Sequence, residues 1–216
     1  MASGDVKLPA YVLHLAEAAN WPSIQQHGLL STRTLLDLAG VQGEAGARFE
    51  REHRPNHISL PNGIQVRDQK PMPPQALARC LIGMSPAEWY QLLNANVFFW
   101  LDADRLNRQR GACASRPQVV LVVNTQHLLA RHAERTALSP INSGNARRKP
   151  AIRGRNTFVL YAAWSESRWS SEATGLGTRP RPRGHRPVEL AVAGGVPDIM
   201  DMVVRVQRLE PWESFS

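Results

Sequence analysis

The spacing of hydrophobic residues differs between the two halves of the chain. In the first half, short apolar runs alternate with glycine, proline and charged residues, which is typical of short helices and brief extended pieces. The predicted elements are a strand at 11–14, a helix that Asn20 caps and Gly28 ends, an amphipathic segment at 31–54, short extended pieces at 57–74, and a helix whose capping box is formed by Ser85 and Glu88. The sequence therefore predicts one early strand surrounded by short helices.

In the second half the hydrophobic period changes to that of β-strands. Five runs of β-branched and aromatic residues are separated by turns or basic loops, at 96–102, 118–125, 156–164, 187–194 and 202–209. Only brief helices, such as one near Gln126 to Arg131, lie between these runs, so they do not alternate as βαβ units would. We therefore predict an α+β fold with a mainly antiparallel sheet. The stretch 165–188 contains no predicted element, which is typical of a functional loop or a disordered one.

Composition limits the class of protein. With 216 residues, 43% hydrophobic and 20% charged, the chain predicts one domain over 1–216 and excludes a wholly disordered protein. No window approaches 18 apolar residues and the first 21 residues lack a signal-peptide pattern, so we expect a cytoplasmic protein that does not bind membranes. Cys80 and Cys113 are too few for a zinc cluster or a disulfide framework, and we expect free buried thiols.

The positive charge of the chain is concentrated in one stretch. The formal net charge is +8; residues 147–186 contain ten basic and two acidic side chains, whereas the rest of the chain contains sixteen of each. Most of the basic residues are arginines, whose planar guanidinium suits bidentate phosphate contacts. Two interpretations are open: a surface that faces a polyanion such as nucleic acid, or a solvated basic loop.

The common catalytic motifs are absent from the sequence. It contains no GxSxG, GxxxxGK[ST], HExxH or GxGxxG pattern. His53 and His57 have the spacing of ligands on one helical face, but Pro55 between them disfavours a helix; His127 and His132, five residues apart, are also poorly spaced. We therefore predict no metal site.

Three polar residues lie within or directly after apolar runs: Glu189, His14 and Arg67. Glu189 lies inside the run VELAV, where a buried carboxylate is costly unless a cleft uses or pairs it, although strand alternation also allows it to face solvent on an edge strand. His14, flanked by leucines, is either a half-buried histidine with satisfied hydrogen bonds or a ligand-binding one. Arg67 either pairs with Asp68 at the surface or binds a ligand.

The order of these residues resembles that of the DarT-like ADP-ribosyltransferases. YVLHLAEAANWPSIQQHGLLS resembles the opening of that family, a strand with a His followed by an Asn and a short helix that ends in Gly-Leu-Leu-Ser. NVFFWLDADRL resembles the next aromatic strand, and PVELAVAGGVPDIMDMVVRV resembles the closing segment with a Glu on a strand. The chain departs from the family at His-Leu-Ala, where His-Ile-Thr is commoner, and at Pro187, where a Gln or Glu is expected. With these departures, the chain is similar to the DarT-like enzymes in the way that a distant relative from a neighbouring family would be.

The resemblance implies a split sheet with NAD as co-substrate in the cleft. Glu189 would bond the ribose hydroxyl and accept a proton, and Arg67 would pair with the diphosphate, in competition with Arg54 and Arg51. The residues that it implies for NAD binding are His14 for the adenosine ribose, the backbone of Leu15 for the carboxamide, Phe98 or Phe99 for stacking on nicotinamide, and Asn20, Ser31 and Arg54 as further contacts.

In this family the loop before the catalytic Glu reads the acceptor, and here that loop is the arginine-rich 165–186. The residues expected to contact nucleic acid are Arg147, Arg148, Arg155, Trp169, Arg179, Arg181, Arg183 and Arg186, with Trp164 as a further aromatic candidate. For both tryptophans, ordinary core packing is the alternative. The resemblance also implies a base in single-stranded DNA as acceptor, a role as toxin or phage-defence effector, and a cognate antitoxin as partner.

Two other functions are compatible with the sequence. One is a non-catalytic nucleic-acid-binding module on the same fold, in which Glu189 faces solvent. The other is an RNA 2′-phosphotransferase, whose fold is related and whose NAD site is similar. The choice between DNA, RNA and protein as acceptor stays open at the level of sequence.

Overall fold

Seven strands drawn from both ends of the chain form one sheet in the computed structural model, which describes residues 6–216. The strands are β1 (Tyr11–Glu17), β2 (Leu29–Leu30), β3 (Ile58–Ser59), β4 (Gln65–Val66), β5 (Asn96–Trp100), β6 (Gln118–Asn124), β7 (Thr136–Ser139), β8 (Val159–Leu160), β9 (Glu189–Ala193), β10 (Gly195–Val196) and β11 (Val203–Leu209). The sheet has the order β11-β6-β1-β5-β9-β7-β8, and every neighbouring pair is antiparallel. The predicted α+β fold with a mainly antiparallel sheet is confirmed.

Short helices flank the sheet. They are α1 (Trp21–His27), α2 (Thr32–Leu38), α3 (Gly43–Arg51), α4 (Pro74–Ala78), α5 (Pro86–Asn94), α6 (Ala103–Ala112), α7 (Thr125–His132), α8 (Tyr161–Ser167) and α9 (Ser170–Leu176). The predicted capping box of α5 is present, because Ser85 Oγ accepts from the Glu88 N–H and the Glu88 carboxylate accepts from the Ser85 N–H. Within residues 6–216, none of these helices combines the length and the apolar composition that crossing a membrane requires.

Both faces of the sheet are covered by apolar side chains. We name them the Phe99 face and the Trp100 face, because these consecutive residues of β5 point to opposite sides. The Phe99 face packs against α1, α7, α8 and Trp169, the residue that precedes α9. The Trp100 face carries two clusters, one with Leu106 of α6 and one with Trp89 and Tyr90 of α5. Cys80 and Cys113 are free buried thiols, as predicted.

The sheet is split between β1 and β5. β1 pairs with β6 from Tyr11 to Glu17, but it pairs with β5 at the single position Leu13–Trp100. β5 pairs with β9 over its whole length. After Leu13 the two strands diverge, so that β11, β6 and β1 form one half of the sheet and β5, β9, β7 and β8 form the other.

One glycine permits a close approach beside this split. Gly28 ends α1 with φ +74° and leads into β2, which pairs with β10. A Cβ on Gly28 would lie 2.4 Å from the Pro197 carbonyl oxygen and 2.5 Å from that of Val196. Both atoms belong to the backbone and cannot turn aside, so this contact requires glycine.

We expect Gly28→Ala to lower the free energy of unfolding by about 2–3 kcal/mol, since it adds a backbone clash to the cost of a positive φ. Gly63→Ala is the matched control, because Gly63 also has a positive φ, +82°, but its Cβ would meet no atom within 4 Å. The control should cost about 1 kcal/mol. Urea unfolding of both variants measures the difference, and equal losses would contradict the close approach.

The predicted strand at 156–164 is wrong on both sides of a two-residue strand, because a 3-10 turn covers 155–157 and a helix follows. Only Val159–Leu160 is a strand, and Tyr161 begins α8. The run reads as apolar in sequence, but beyond Leu160 its burial follows a helix: Trp164 is buried and Ala162 is exposed. Short apolar runs do not distinguish these two periods.

The stretch 165–188, predicted to contain no element, also contains helix. α8 continues to Ser167 and α9 follows directly. The buried residues Trp169, Ala173 and Leu176 have the i, i+4, i+7 spacing of one helical face. Apart from the turn at 168–169, the irregular structure of this stretch is confined to residues 177–188, which we call the basic segment.

Three further details differ from the sequence predictions. α6 and β7 were not predicted, although β7 is an interior strand between β9 and β8. The amphipathic segment 31–54 forms two helices, α2 and α3. Asn20 precedes α1 but its side chain does not cap it; it accepts from the Gln65 N–H at 2.7 Å and donates to the Gln65 carbonyl at 2.9 Å.

Candidate active site

The strand register places Glu189 beside the split. It is the first residue of β9 and lies opposite Trp100 of β5 and Ser139 of β7, while Trp100 lies opposite Leu13 of β1. Paired residues of antiparallel strands share a face, so Glu189 is on the Trp100 face. Strands lie about 4.8 Å apart, which puts the Glu189 backbone about 10 Å from that of Leu13.

The Glu189 carboxylate is buried, with 4% of the residue exposed. Its Oε2 accepts a hydrogen bond from the Ser143 N–H at 3.0 Å. Burial raises the pKa of Glu189 to about 7, even though the Ser143 hydrogen bonds and the Arg153 charge oppose the shift. The alternative that Glu189 faces solvent on an edge strand is wrong, because β9 is an interior strand.

A buried arginine supports this carboxylate through Ser143. Arg153 is 1% exposed, and it donates from Nη1 to the Ser143 carbonyl at 3.0 Å and from Nε to the Ala151 carbonyl at 3.1 Å. Its guanidinium lies 5.8 Å from the centre of the Trp89 ring, and burial lowers its pKa. Ser143 therefore connects a buried cation to the Glu189 carboxylate.

His14 lies in the split itself. It follows Leu13 and so belongs to the Phe99 face, where its ring centre is 5.6 Å from that of Phe99. Its Nδ1–H donates to the Phe98 carbonyl at 2.8 Å and so connects β1 to β5 where they diverge. Burial lowers the pKa of His14 to about 4, and the charge of Arg67 acts in the same direction. The imidazole is therefore neutral at pH 7.

Arg67 binds a buried carboxylate rather than Asp68. Its Nε donates to Glu17 at 3.1 Å and its Nη2 donates to Gln118. Glu17 is 4% exposed and also binds Arg116 at 3.0 Å; burial opposes ionisation, but these hydrogen bonds and charges outweigh it and lower the Glu17 pKa. Arg67 Nη1 is buried and has no hydrogen-bond partner among residues 6–216.

Arg54 lies next to Arg67, and Arg51 is exposed. Arg54 is 7% exposed, donates from Nε to the Arg67 carbonyl at 2.6 Å, and covers the ring of Phe49 at 4.8 Å. Burial lowers the Arg54 pKa to about 10. Its Nη1, like that of Arg67, is buried without a partner in the described part of the chain.

Of the two aromatic candidates, the structure leaves only Phe98 accessible. Phe98 is half-buried on the Trp100 face, whereas Phe99 is fully buried in the core. The prediction that Phe99 stacks on a ligand is therefore corrected. Leu15 is buried, and it follows His14 along the diverging part of β1.

Asn20 and Ser31 already have partners within the fold. The Asn20 amide bonds the backbone of Gln65. Ser31 is 1% exposed, its hydroxyl accepts from the Thr34 N–H, and its own N–H donates to the Gly194 carbonyl. Both residues hold neighbouring segments together.

The candidate residues therefore form two groups. His14, Arg54 and Arg67 lie around the diverging part of β1, whereas Glu189 binds Ser143 on the other half of the sheet. The hydrogen bonds of the two groups go to separate partners. Arg67 is bound at Glu17, four residues and about 13 Å along β1 from Leu13, so the groups are separated along the Trp100 face.

Two surface cavities adjoin the first group. One of about 460 Å³ is lined by Arg54, His53 and Phe49 among others. A smaller one of about 210 Å³ is lined by Trp21, Gln118 and others. Glu189 lines neither. Among residues 6–216 there is no group of three or more histidine, cysteine, aspartate or glutamate side chains arranged to hold a metal ion.

Six of the eight predicted nucleic-acid contacts are exposed. They are Arg147, Arg148, Arg155, Arg179, Arg183 and Arg186. The predicted nucleic-acid contact of Trp169 is wrong, because Trp169 is 1% exposed, packs edge-on against Trp164 and donates to the His185 carbonyl. The predicted contact of Arg181 is also wrong, because Arg181 binds the buried carboxylate of Glu172.

Two loops with exposed basic residues meet at the start of β9. From the basic segment, His185 Nε2 donates to the Pro140 carbonyl at 3.1 Å, and the Val188 N–H donates to the Ser139 carbonyl at 2.8 Å. The loop after β7 contributes the Ser143 N–H to Glu189. The basic residues at 147–149 and those of the basic segment therefore belong to loops that flank Glu189.

Sequence reasoning missed the hydrogen-bond partners of two buried carboxylates, Glu189 and Glu17. Ser143 is 46 residues from Glu189, and Gln118 is 101 residues from Glu17. Arg153 was counted only as part of the basic stretch, although it is buried. A pattern within one strand shows that a carboxylate enters the core, but only the topology brings its partner.

The family comparison covers nearly all of this framework. A family model described as a family of unknown function (DUF7002) matches residues 10–203, a range that includes His14, Arg67 and Glu189. No curated protein and no solved structure matches the chain.

Proposed function

We propose that this chain, which belongs to the DUF7002 family, is an NAD-dependent ADP-ribosyltransferase that modifies a base in single-stranded DNA. The observation that carries the proposal is the environment of Glu189. It is a buried carboxylate with a pKa of about 7, at the first residue of a strand beside a split sheet, directly after an arginine-rich segment. Such perturbed groups cluster at functional sites.

The reaction requires a general base, which accepts a proton, and a negative charge at the same position. The bond between ribose C1′ and the nicotinamide nitrogen breaks, and its electron pair leaves with nicotinamide. A ring nitrogen or exocyclic amine of the acceptor base attacks C1′ and loses a proton. With a pKa of about 7, Glu189 stabilises the positive ribose when ionised and accepts that proton.

Two features support binding of NAD. Arg67 Nη1 is buried without a hydrogen-bond partner among residues 6–216, while its other nitrogens bind Glu17 and Gln118, so the guanidinium is held in place with one donor unused. That donor suits a phosphate oxygen. Phe98 is a half-buried aromatic side chain of β5 on the face that carries Glu189, and it suits stacking on nicotinamide.

The choice of nucleic acid rests on charge. Six exposed arginines stand in or near the two loops that flank Glu189, and the rest of the chain outside 147–186 is neutral. Phosphate neutralisation by such residues supplies affinity that falls with salt. A nucleic acid bound at these loops lies next to Glu189, the proposed general base.

The test is transfer of label from NAD to an oligonucleotide. We expect wild type to modify single-stranded DNA and to release nicotinamide in equal amount. Parallel reactions contain single-stranded RNA, 2′-phosphorylated RNA and no nucleic acid. Removal of the 2′-phosphate would identify a phosphotransferase instead, and the absence of any NAD-dependent product in all reactions would overturn the proposal.

A non-catalytic nucleic-acid-binding module is the second candidate. The solvent-facing Glu189 that this function was expected to show is not observed, because Glu189 is buried. What favours the function instead is that burial and a hydrogen bond to the Ser143 N–H are also what a structural carboxylate would show. This function predicts salt-dependent oligonucleotide binding without any effect of NAD on thermal unfolding. Stabilisation of wild type by NAD, lost in Arg67→Met, would contradict it.

A further inference from the structure

Arg181 points away from the surface that its neighbours form. Its Nε and Nη2 donate to both carboxylate oxygens of Glu172 at 2.8 to 3.1 Å. The Glu172 side chain is 1% exposed and that of Arg181 is 23% exposed. Arg179 and Arg183, two residues to either side, are exposed. The basic segment therefore turns one arginine inward and the next ones outward.

Other contacts restrict the same segment. Trp169 Nε1 donates to the His185 carbonyl at 2.8 Å, and the His185 ring donates to the Pro140 carbonyl. Pro180 and Pro182 flank Arg181 and fix φ at two positions. At the other end of the segment, the Thr178 N–H donates to the Ala173 carbonyl at 3.0 Å. The segment has no regular secondary structure, yet it is bound at both ends and, through Arg181, at its centre.

The helix that carries Glu172 is itself closely packed. α9 lies against residues 155–157, and a Cβ on Gly175 would lie 1.3 Å from the Asn156 amide nitrogen. Glycine at this position allows α9 to contact the turn that carries the exposed Arg155. Glu172 thus holds Arg181 from a fixed position.

We propose that Glu172 and Arg181 are positioning residues, which hold the basic segment in one conformation so that Arg179, Arg183 and Arg186 contact successive phosphates of a single-stranded nucleic acid. This inference rests on the nucleic-acid acceptor proposed above and adds which arginines contact it and which one does not. A segment held before binding loses little conformational freedom on binding, and affinity rises accordingly.

Neutralising Glu172 separates positioning from charge. Glu172→Gln makes the protein more positive, so a surface that acts by charge alone would bind an oligonucleotide equally well or better. If Glu172 positions the segment, the variant binds about tenfold more weakly. Glu166→Gln is the matched control, because Glu166 is exposed on α8 and the change in net charge is the same; it should bind like wild type. Fluorescence anisotropy with a labelled single-stranded oligonucleotide measures all three proteins.

A second pair of variants guards against unfolding. Exchanging the charges, Glu172→Arg with Arg181→Glu, keeps the net charge and the ion pair, and it should restore most of the binding lost in Glu172→Gln. Arg183→Gln should reduce the slope of log K against log salt by about 0.7, the value for one phosphate contact on a single strand. Thermal unfolding confirms that each variant is folded.

Equal binding by Glu172→Gln and Glu166→Gln would overturn the positioning role, as would failure of wild type to bind single strands. Transfer of ADP-ribose is measured separately. Tight binding without transfer would overturn the proposed enzyme and leave this inference standing. Transfer that Glu172→Gln leaves unaffected would overturn the positioning role and leave the proposed enzyme standing.

Discussion

Glu189→Gln is expected to lower the rate of ADP-ribosyl transfer by at least about 100-fold, the usual contribution of a positioned base or of one electrostatic contact in the transition state. The amide keeps an oxygen for the Ser143 N–H, so the loop after β7 stays in place. It loses both the negative charge and the ability to accept a proton. Labelled transfer to single-stranded DNA measures the loss.

The same substitution should change how stability depends on pH. Burial raises the pKa of Glu189 from 4.5 to about 7, so between these values the folded protein keeps a proton that the unfolded chain releases. The free energy of unfolding therefore falls as pH rises through this window, by roughly 3 kcal/mol in all. Glu189→Gln removes this fall, and the variant should be the more stable protein at pH 8.

His14 contributes with the opposite sign. Burial lowers its pKa from 6.5 to about 4, so between these values the unfolded chain binds a proton that the folded protein does not, and stability rises with pH. Both proteins contain His14, so the difference between wild type and Glu189→Gln isolates Glu189. Urea unfolding at pH 5 and pH 8 gives that difference, with Glu166→Gln as an exposed control. A constant difference would contradict the raised pKa, and undiminished transfer would contradict catalysis by Glu189.

The strands were largely predictable because their pattern is local. β6, β9 and β11 lie within the predicted runs. β6 and β9 consist mostly of apolar residues buried on both faces, whereas β11 is largely exposed and alternates valine with arginine and glutamine at 204–207. α8 and α9 were not predictable in the same way. Trp164 and Trp169 are buried in the core, but serine, arginine and glutamate stand around them in the sequence, so base stacking and core packing both stayed open.

The site was predictable only as separate residues. The run VELAV shows that Glu189 enters an apolar strand, but it does not show that β7 pairs beside it and brings Ser143 to its carboxylate. The charge count likewise treated ten basic residues of 147–186 alike. Burial separates them: Arg153 and Arg181 bind groups inside the fold, and the exposed arginines remain for a partner.

We expect Trp169→Ala to lower the free energy of unfolding by about 3–5 kcal/mol, the usual cost of removing a large aromatic side chain from a core. Trp169 is 1% exposed, and its ring lies 6.0 Å from that of Trp164 and 6.1 Å from that of His185. Alanine leaves a cavity there, and it also leaves the His185 carbonyl without the donor Nε1. Urea unfolding at pH 7 measures the loss.

Trp212→Ala is the control, because Trp212 is 76% exposed and its removal should change stability by no more than about 0.5 kcal/mol.

Oligonucleotide binding by Trp169→Ala, measured at a temperature where the variant is folded, separates packing from base stacking. If Trp169 stacked on a base, the Trp169→Ala variant would bind the oligonucleotide more weakly while its stability stayed unchanged. A packed one loses stability first, and because it supports the basic segment at His185, any loss of affinity should match that of Glu172→Gln. Unchanged stability with weakened binding would contradict the buried position of Trp169.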